Sequence, residues 1–139
     1  MTGPVWSVLA DESTAELITG VLAVIQPVLE YLGTVAFAVS GVLAAGRSRM
    51  DVGGAVVLGA IVAVGGGTIR DMALGRTAFW ITDPSFLVVG VATAVVLSFP
   101  MFRRFALSDR RGYWLIEVFD AFGLALFVVA GTNIAIGAG

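Results

Sequence analysis

The stretch AVGGGTIRDMALGRTAFW, residues 63–80, places three consecutive glycines near the end of a long apolar segment. Glycine costs about 1 kcal/mol in a helix relative to alanine, so three in succession predict local unwinding. Lipid cannot hydrogen-bond the backbone groups that unwinding frees, so such a break needs protein or water around it. We predict a helix broken inside a membrane, with the backbone of Gly65, Gly66 and Gly67 available to an ion or a small polar solute.

Two charged residues, Arg70 and Asp71, follow the triplet almost at once. An ionisable residue inside a bilayer usually faces a cavity or a partner. Adjacent positions point in different directions on a helix, so each of these side chains is expected to have its own partner elsewhere. The alternative is that both lie among lipid headgroups. The apolar segment Met72–Gly75, which precedes Arg76 and Trp80, argues against that alternative.

The composition is that of an integral membrane protein. Of the 139 residues, 58% are hydrophobic and only 13% are charged, and the mean hydropathy is +0.99. The chain has neither cysteine nor histidine, which argues against zinc sites and disulfides. No pairing of a nucleophile with a base is present, so an enzyme is not expected. The formal net charge of −2 does not point to a nucleic-acid partner.

Four apolar segments predict an all-α, polytopic bundle of transmembrane helices, because a span needs about 20 mostly apolar residues. They are residues 28–45, a segment that starts near residue 52, residues 86–102 and residues 114–136. Residues 1–27 form an extracellular or interfacial lead-in. Pro27 suits the first turn of a helix and sets the predicted start of the first span. The apolar segment Leu17–Ile25 is then an interfacial helix or an extension of that span.

The distribution of arginine predicts the orientation in the membrane. The loops after the first and third spans carry most of the arginines, whereas the opposite side has Arg76 and, at most, Arg70. The positive-inside rule then places the N-terminus outside a cell inner membrane. Residues 103–113 form a basic cytoplasmic loop whose arginines are also candidate ligands for anionic lipid headgroups: Arg103, Arg104, Arg110 and Arg111.

The fourth span resembles the first at an offset of 90 positions. The matched pairs are Glu30 with Asp120, Gly33 with Gly123, Phe37 with Phe127, and Gly41 with Gly131. Residues 28–102 are then a first three-helix repeat, and residues 114–139 begin an incomplete second one. Because three spans is an odd number, the second copy is inverted, as in many transport proteins.

Small residues recur every fourth position on two spans and predict close helix packing. One stripe contains Ala55, Gly59, Ala63 and Gly67, and the other contains Ala36, Ser40 and Ala44. Ser40, together with Asn133 deep in the fourth span, is also a candidate for lining a polar pathway. For Asn133, an interhelical hydrogen bond is an equal alternative.

Three segments, AVSGVLAAGRSRMD, GGGTIRDMALGRTAFW and DAFGLALFVVAGT, resemble the prokaryotic members of the TRIC (trimeric intracellular cation) channel family, also labelled a glycine-transporter domain family. The resemblance extends from about Leu29 to the C-terminus. It implies seven spans, arranged as two inverted three-helix repeats and a final helix, in a homotrimer. It also implies one pore per protomer, lined by two glycine-kinked helices, with K⁺ as the favoured ion.

Carried onto this chain, the resemblance assigns the pore kink to Gly65–Gly67. Thr68, Arg70 and Asp71 become pore-lining or pore-gating residues. The chain departs from the family pattern because the fifth, sixth and seventh spans are absent. A chain of this length is therefore not expected to conduct in the usual way of the family unless the native protein has further residues.

These observations favour a passive channel for monovalent cations, with K⁺ as the expected permeant ion. The alternative is a secondary transporter of glycine or another small amino acid, because the ends of a broken helix suit a zwitterion. A structural membrane subunit without a transport role is the third hypothesis. No cofactor is expected besides the permeant ion and an anionic lipid.

Overall fold

The computed structural model describes residues 12–99 and 111–137, and it shows only helices as regular structure within these ranges. The predicted all-α class is therefore confirmed. The helices are α1 (Glu12–Arg47), α2 (Val52–Ala73), α3 (Phe79–Thr82), α4 (Ser85–Ser98) and α5 (Arg111–Gly137). Helix α1 packs against α2, α4 and α5, and α2 also packs against α4.

Helix α1 has 36 residues and continues through Pro27 without interruption. The predicted helix start at Pro27 is therefore wrong, and Leu17–Ile25 extends the helix. Proline removes one backbone hydrogen bond from a helix interior, but membrane helices tolerate this loss when neighbouring groups compensate.

Helix α2 also contradicts a prediction, because it runs through Gly65–Gly67 without a break. Three glycines weaken a helix by about 3 kcal/mol in total relative to alanine. Each backbone group left unpaired in lipid costs several kcal/mol, so unwinding at the triplet is the less favourable state. The triplet is therefore helical in this structure, and its assignment to an ion pathway stays a prediction.

The end of α2 is set by a different glycine, Gly75, which adopts a positive φ of 65°. The backbone N–H of Arg76 donates to the Asp71 carbonyl over 2.8 Å, and that of Gly75 donates to the Met72 carbonyl over 3.1 Å. These two bonds form a Schellman motif, which ends a helix where glycine takes up the left-handed conformation. Glycine thus terminates α2 at Gly75, whereas the triplet lies inside the helix.

The predicted small-residue stripe of α2 forms close helix contacts, and on α1 these contacts involve Gly41, which is not part of the predicted α1 stripe. The buried residues of α2 recur every fourth position and continue the predicted stripe to Asp71. A Cβ atom added at Gly41 would lie 3.0 Å from Cα of Gly59, and one added at Gly59 would lie 2.9 Å from Cβ of Ala94. Helices α1, α2 and α4 therefore approach one another at nearly backbone distance.

Helix α4 is shorter than the predicted third span, with 14 residues that end at Ser98. Phe99 has a ψ of 141°, as expected for a residue that precedes a proline, here Pro100. At 1.5 Å per residue, α4 is about 21 Å long. Among the described residues, three helices are long and apolar enough to cross a membrane, namely Glu16–Arg47, Val52–Ala73 and Trp114–Thr132.

The two matched spans, α1 and α5, make reciprocal contacts. The Phe127 ring lies against Gly33, and the Phe37 ring lies against Gly123, the residue matched to Gly33. The two rings stack with centroids 5.3 Å apart. From Gly33 to Phe37 along α1, the contacting residue on α5 changes from Phe127 to Gly123. The two helices are therefore antiparallel and related by an approximate two-fold axis. The division into two repeats itself stays a prediction.

Candidate ion pathway

Glu30, Arg70 and Asp71 form a charged cluster between α1 and α2. The Arg70 guanidinium lies with Nη1 3.0 Å from Glu30 Oε1 and with Nη2 2.7 Å from Asp71 Oδ1. The side chains of Arg70, Glu30 and Asp71 are only 11%, 10% and 3% exposed, respectively. The headgroup alternative for Arg70 and Asp71 therefore does not describe this structure.

The two ion pairs of Arg70 are not equivalent. Asp71 Oδ1 accepts hydrogen bonds from Nε at 2.9 Å and from Nη2 at 2.7 Å. Nη1 is close to Glu30 but is not aligned for a hydrogen bond, and it has no other hydrogen-bond partner in the described structure. The contact with Glu30 is therefore a Coulombic pair, whereas the contact with Asp71 is a charge-assisted, two-donor hydrogen bond.

Arg70 and Asp71 each have a partner elsewhere, as we expected, Glu30 for Arg70 and the Phe79 backbone N–H for Asp71, but they also pair with each other. The long arginine side chain bends back to its neighbour, so two adjacent residues share one ion pair. Glu30 is the distant partner that we did not predict. An acidic residue within the apolar run of α1, matched to Asp120 in the repeat, is the sequence signal for it.

Asp71 and Thr68 also attach the short helix α3 to α2. The backbone N–H of Phe79 donates to Asp71 Oδ2 over 2.7 Å. The Trp80 indole N–H donates to Thr68 Oγ1 over 2.9 Å, and that hydroxyl donates to the Val64 carbonyl over 2.7 Å. These bonds hold the segment after α2 against the helix from which it emerges.

An aromatic cluster formed by the buried residues Phe37, Phe79, Phe86 and Phe127 adjoins the charges. Phe79 lies edge-on to Phe86 with centroids 4.9 Å apart, and edge-on to Phe127 with centroids 6.0 Å apart. The guanidinium carbon of Arg70 is 5.1 Å from the Phe127 centroid and 5.7 Å from that of Phe79. Aromatic faces attract cations at this distance, so the rings also stabilise Arg70.

A half-open cavity of about 180 Å³ lies beside the charged cluster. Three carboxylates and two guanidinium groups line it, which gives a formal charge of −1. Its lining residues are Gln26, Glu30, Arg70, Asp71, Arg76, Thr77, Phe79, Thr82, Asp83, Phe86 and Ile134.

At the rim of the cavity, hydrogen bonds from the Ser85 hydroxyl and backbone N–H lower the pKa of the exposed Asp83 carboxyl below its usual value. The Ser85 hydroxyl also contacts the Tyr31 hydroxyl, which connects this rim to α1. The rim carboxylate therefore stays ionised well below neutral pH.

The predicted site residues have different surroundings in the structure. Arg70 and Asp71 line the cavity, whereas Thr68 is not among its lining residues and accepts a hydrogen bond from the Trp80 indole N–H. The triplet lies next to the aromatic cluster rather than in the cavity. A Cβ atom at Gly66 would lie 2.8 Å from the Phe37 ring, one at Gly67 would overlap the Phe79 ring, and one at Gly65 would meet nothing within 4 Å.

Other predicted residues lie away from the cavity or outside the described part of the chain. Ser40 is buried, and its hydroxyl donates to the Phe37 carbonyl over 3.0 Å. The side chain of Asn133 and the lipid-binding candidates are outside the described residues: Arg103, Arg104, Arg110 and the side chain of Arg111. The assignment of all these residues to an ion pathway stays a prediction.

Comparison with known proteins gives consistent matches. A family model described as "Glycine transporter" matches residues 27–101. The UPF0126 inner membrane protein YadS of Escherichia coli is 49% identical over 79% of this chain and 52% of its own length. A UPF0126 membrane protein of Vibrio cholerae is 48% identical over 78% of this chain and 44% of its own length.

A solved structure matches as well. The TRIC trimeric intracellular cation channel orthologue from Rhodobacter sphaeroides is 40% identical, with a TM-score of 0.72. The match covers 83% of this chain and 57% of the channel orthologue. The chain thus spans about half the length of the proteins that it matches.

Proposed function

Because the chain belongs to the TRIC family of membrane proteins, whose family model is described as "Glycine transporter", we propose that it conducts monovalent cations passively, with K⁺ as the physiological ion. The observation that carries this proposal is the burial of Glu30, Arg70 and Asp71 beside a cavity between membrane helices. Ionisable groups are expensive inside a membrane and usually mark an ion or substrate path.

The charge of the cavity supports cations rather than anions. Its lining carries one more carboxylate than guanidinium groups, and low-dielectric walls strengthen the attraction that such a lining has for cations. Arg70 compensates its carboxylate neighbours only in part, because its pair with Glu30 is not hydrogen-bonded. Glu30 is therefore the group best placed to exchange its protein partner for a permeating ion.

The mechanism differs from the one that the glycine triplet predicts. The triplet is continuous helix, so its carbonyl oxygens are used within α2. A cation would instead meet the carboxylate oxygens of Glu30 and Asp71. Two carboxylates do not form a cage of fixed size, so discrimination between K⁺ and Na⁺ is expected to be weak.

A flux assay in liposomes tests this proposal. Purified protein is reconstituted, and K⁺ efflux is compared with that of protein-free vesicles and with the variants Glu30→Gln and Glu117→Gln. Glu117 is the matched control, because it is exposed on α5 and does not line the cavity. We expect efflux above the protein-free level that Glu30→Gln lowers and Glu117→Gln leaves unchanged. Efflux equal to that of empty vesicles would refute the proposal.

Transport of a small zwitterion is the second candidate, because the cavity presents both signs of charge. Arg76 could receive a carboxylate while Asp83 receives an ammonium group, and both line the same cavity of about 180 Å³. The family description favours glycine as the solute. Saturable uptake of labelled glycine into the same vesicles, without K⁺ conductance, would support the transporter over the channel.

We also propose that the protein assembles as a homotrimer in the inner membrane with its N-terminus outside. The matched structure is that of a trimeric intracellular cation channel orthologue, and YadS is an inner membrane protein. Native mass spectrometry tests the trimer. Cysteine labelling tests the orientation, because Ser48 and Thr77 are exposed beyond opposite ends of α2. We expect Thr77→Cys to react in intact cells and Ser48→Cys to react only after permeabilisation.

A further inference from the structure

The aromatic cluster lies directly beyond the charged cavity. Phe79 and Phe86 belong to the cavity wall, and Phe127 and Phe37 pack behind them. Along α1, Phe37 is about 10 Å further than Glu30 toward the Arg47 end, at 1.5 Å per residue. A solute that left the cavity toward that end of the bundle would meet aromatic rings next.

Four glycines allow these rings to pack without a gap. The Phe37 ring lies against Gly66 and Gly123. The Phe127 ring lies against Gly67 and Gly33. A Cβ atom at any of these four glycines would come closer than 3.0 Å to a ring. Side chains do not tolerate so short a contact, so the rings pack directly against the backbone of three helices.

We propose that the aromatic cluster is the closed gate of the cation path, with Gly66 and Gly67 as the surface on which it closes. This inference rests on the proposed function for the identity of the ion. A buried apolar constriction excludes water, and an ion cannot cross it without its hydration shell. The triplet therefore acts through the close ring packing that it permits and not through exposed carbonyl groups.

The position of Phe79 couples this gate to the charged cluster. Phe79 is the first residue of α3, and its backbone N–H binds Asp71. Its ring touches Gly67, and Arg70 lies over both Phe79 and Phe127. A cation that draws Glu30 or Asp71 away from Arg70 would therefore disturb the groups that hold two of the rings in place.

Truncation of a ring tests the gate by flux. Phe79→Ala keeps the backbone bond to Asp71, and Phe127→Ala removes a ring that lies on two glycines. We expect either change to raise K⁺ efflux by about tenfold or more, because water can then enter the constriction. Phe99→Ala is the matched control, since that ring is 66% exposed and outside the cluster. Phe127→Leu replaces Phe127→Ala if the latter does not fold.

A second readout does not depend on conduction. The chain has no cysteine, and Ser40 is buried one turn beyond Phe37. Ser40→Cys is treated with a cationic methanethiosulfonate, added on the side from which Thr77→Cys reacts and Ser48→Cys does not. With the rings intact we expect slow modification, and with Phe127→Ala a rate at least about tenfold higher. Phe99→Ala should not change the rate.

The two readouts separate the gate from the proposed function. Suppose that Phe127→Ala speeds the modification of Ser40→Cys but no variant shows K⁺ efflux. This result would refute the cation channel and would support the inference that the aromatic cluster excludes water. K⁺ efflux that neither ring truncation raises, together with an unchanged modification rate, would refute the gate but retain the channel. Rapid modification of Ser40→Cys with all rings intact would likewise refute the gate.

Discussion

Glycine has different surroundings in the two halves of α2. In the half near Val52, Gly59 brings the helix backbone close to α1 and α4, and its neighbours are Val42 and Ala94. In the half near Arg70, Gly66 and Gly67 face aromatic rings rather than another backbone. Glycine in a membrane helix thus does not by itself indicate a break, because the group that it faces determines its role.

The halves also differ in polarity. The Val52 half is packed with small apolar residues, whereas the other half carries Arg70 and Asp71, which form the buried charged cluster with Glu30 of α1. Packing of small residues is insensitive to pH and tolerates few size changes. A buried ion cluster depends on every member, because removal of one leaves a charge uncompensated. We therefore expect substitutions in the two halves to change the stability of the protein by different amounts and for different physical reasons.

The largest effect is expected at Arg70. Arg70→Ala would leave Glu30 and Asp71 buried without their cation, with an expected loss of about 3–5 kcal/mol in unfolding free energy. Arg70→Lys should lose less, since it keeps the charge but not the two-donor bond. Unfolding by sodium dodecyl sulfate in mixed micelles measures both. Equal stability of Arg70→Ala and the unmodified protein would contradict the buried ion cluster.

The next effect distinguishes positions within the triplet. Gly67→Ala places a methyl group against two rings and should destabilise the protein by about 1–3 kcal/mol. Gly65→Ala is its matched control, because that position has open space, and it should be neutral or stabilise the helix by up to about 1 kcal/mol. The same unfolding assay applies. If the two variants behaved alike, the rings would not be seated on the triplet.

A smaller effect is expected in the apolar half. Gly59→Ala brings a methyl group within 2.9 Å of Cβ of Ala94 and should lower stability by about 1 kcal/mol, because α4 must move away. Ala94→Gly in the same protein removes one of the two closest contacts and should restore part of the loss. Additive losses in the double variant would show that the two helices do not meet at this point.

The smallest effect is expected at the exposed rim. The hydrogen bonds from Ser85 lower the pKa of Asp83 in the folded protein, so the stabilisation is present above the unfolded-state pKa and is lost as the pH falls through the folded-state pKa. Asp83→Asn should therefore remove a small acid-dependent component of stability. Melting temperatures of the two proteins between about pH 2 and pH 6 measure it. Parallel pH profiles would contradict the rim interaction.

Local pattern predicted much of the fold. Apolar length indicated the helices, four-residue spacing indicated the stripes, and the position of Arg70 and Asp71 within an apolar segment indicated their burial. The offset of 90 positions selected Gly33, Phe37 and their matches, which make the reciprocal contacts. These features depend on residues close in the chain or on repetition, and both are visible in one sequence.

The missed features depend on partners that are distant in the chain. Propensity favours unwinding at Gly65–Gly67, but rings from α1, α3 and α5 lie against two of these glycines and lipid disfavours free backbone groups. The position of Glu30 within an apolar run marks it as unusual, but nothing local identifies Arg70, on another helix, as its partner. The early end of α4 could have been predicted, because Pro100 disfavours helix at the residue before it.

The reciprocal seating of Phe37 on Gly123 and of Phe127 on Gly33 has an evolutionary consequence. Each glycine and the ring that packs against it fill a fixed combined volume, so a larger residue in place of the glycine requires a smaller side chain in place of the phenylalanine. In related sequences we therefore expect positions 37 and 123 to covary in side-chain size, and positions 33 and 127 to do the same.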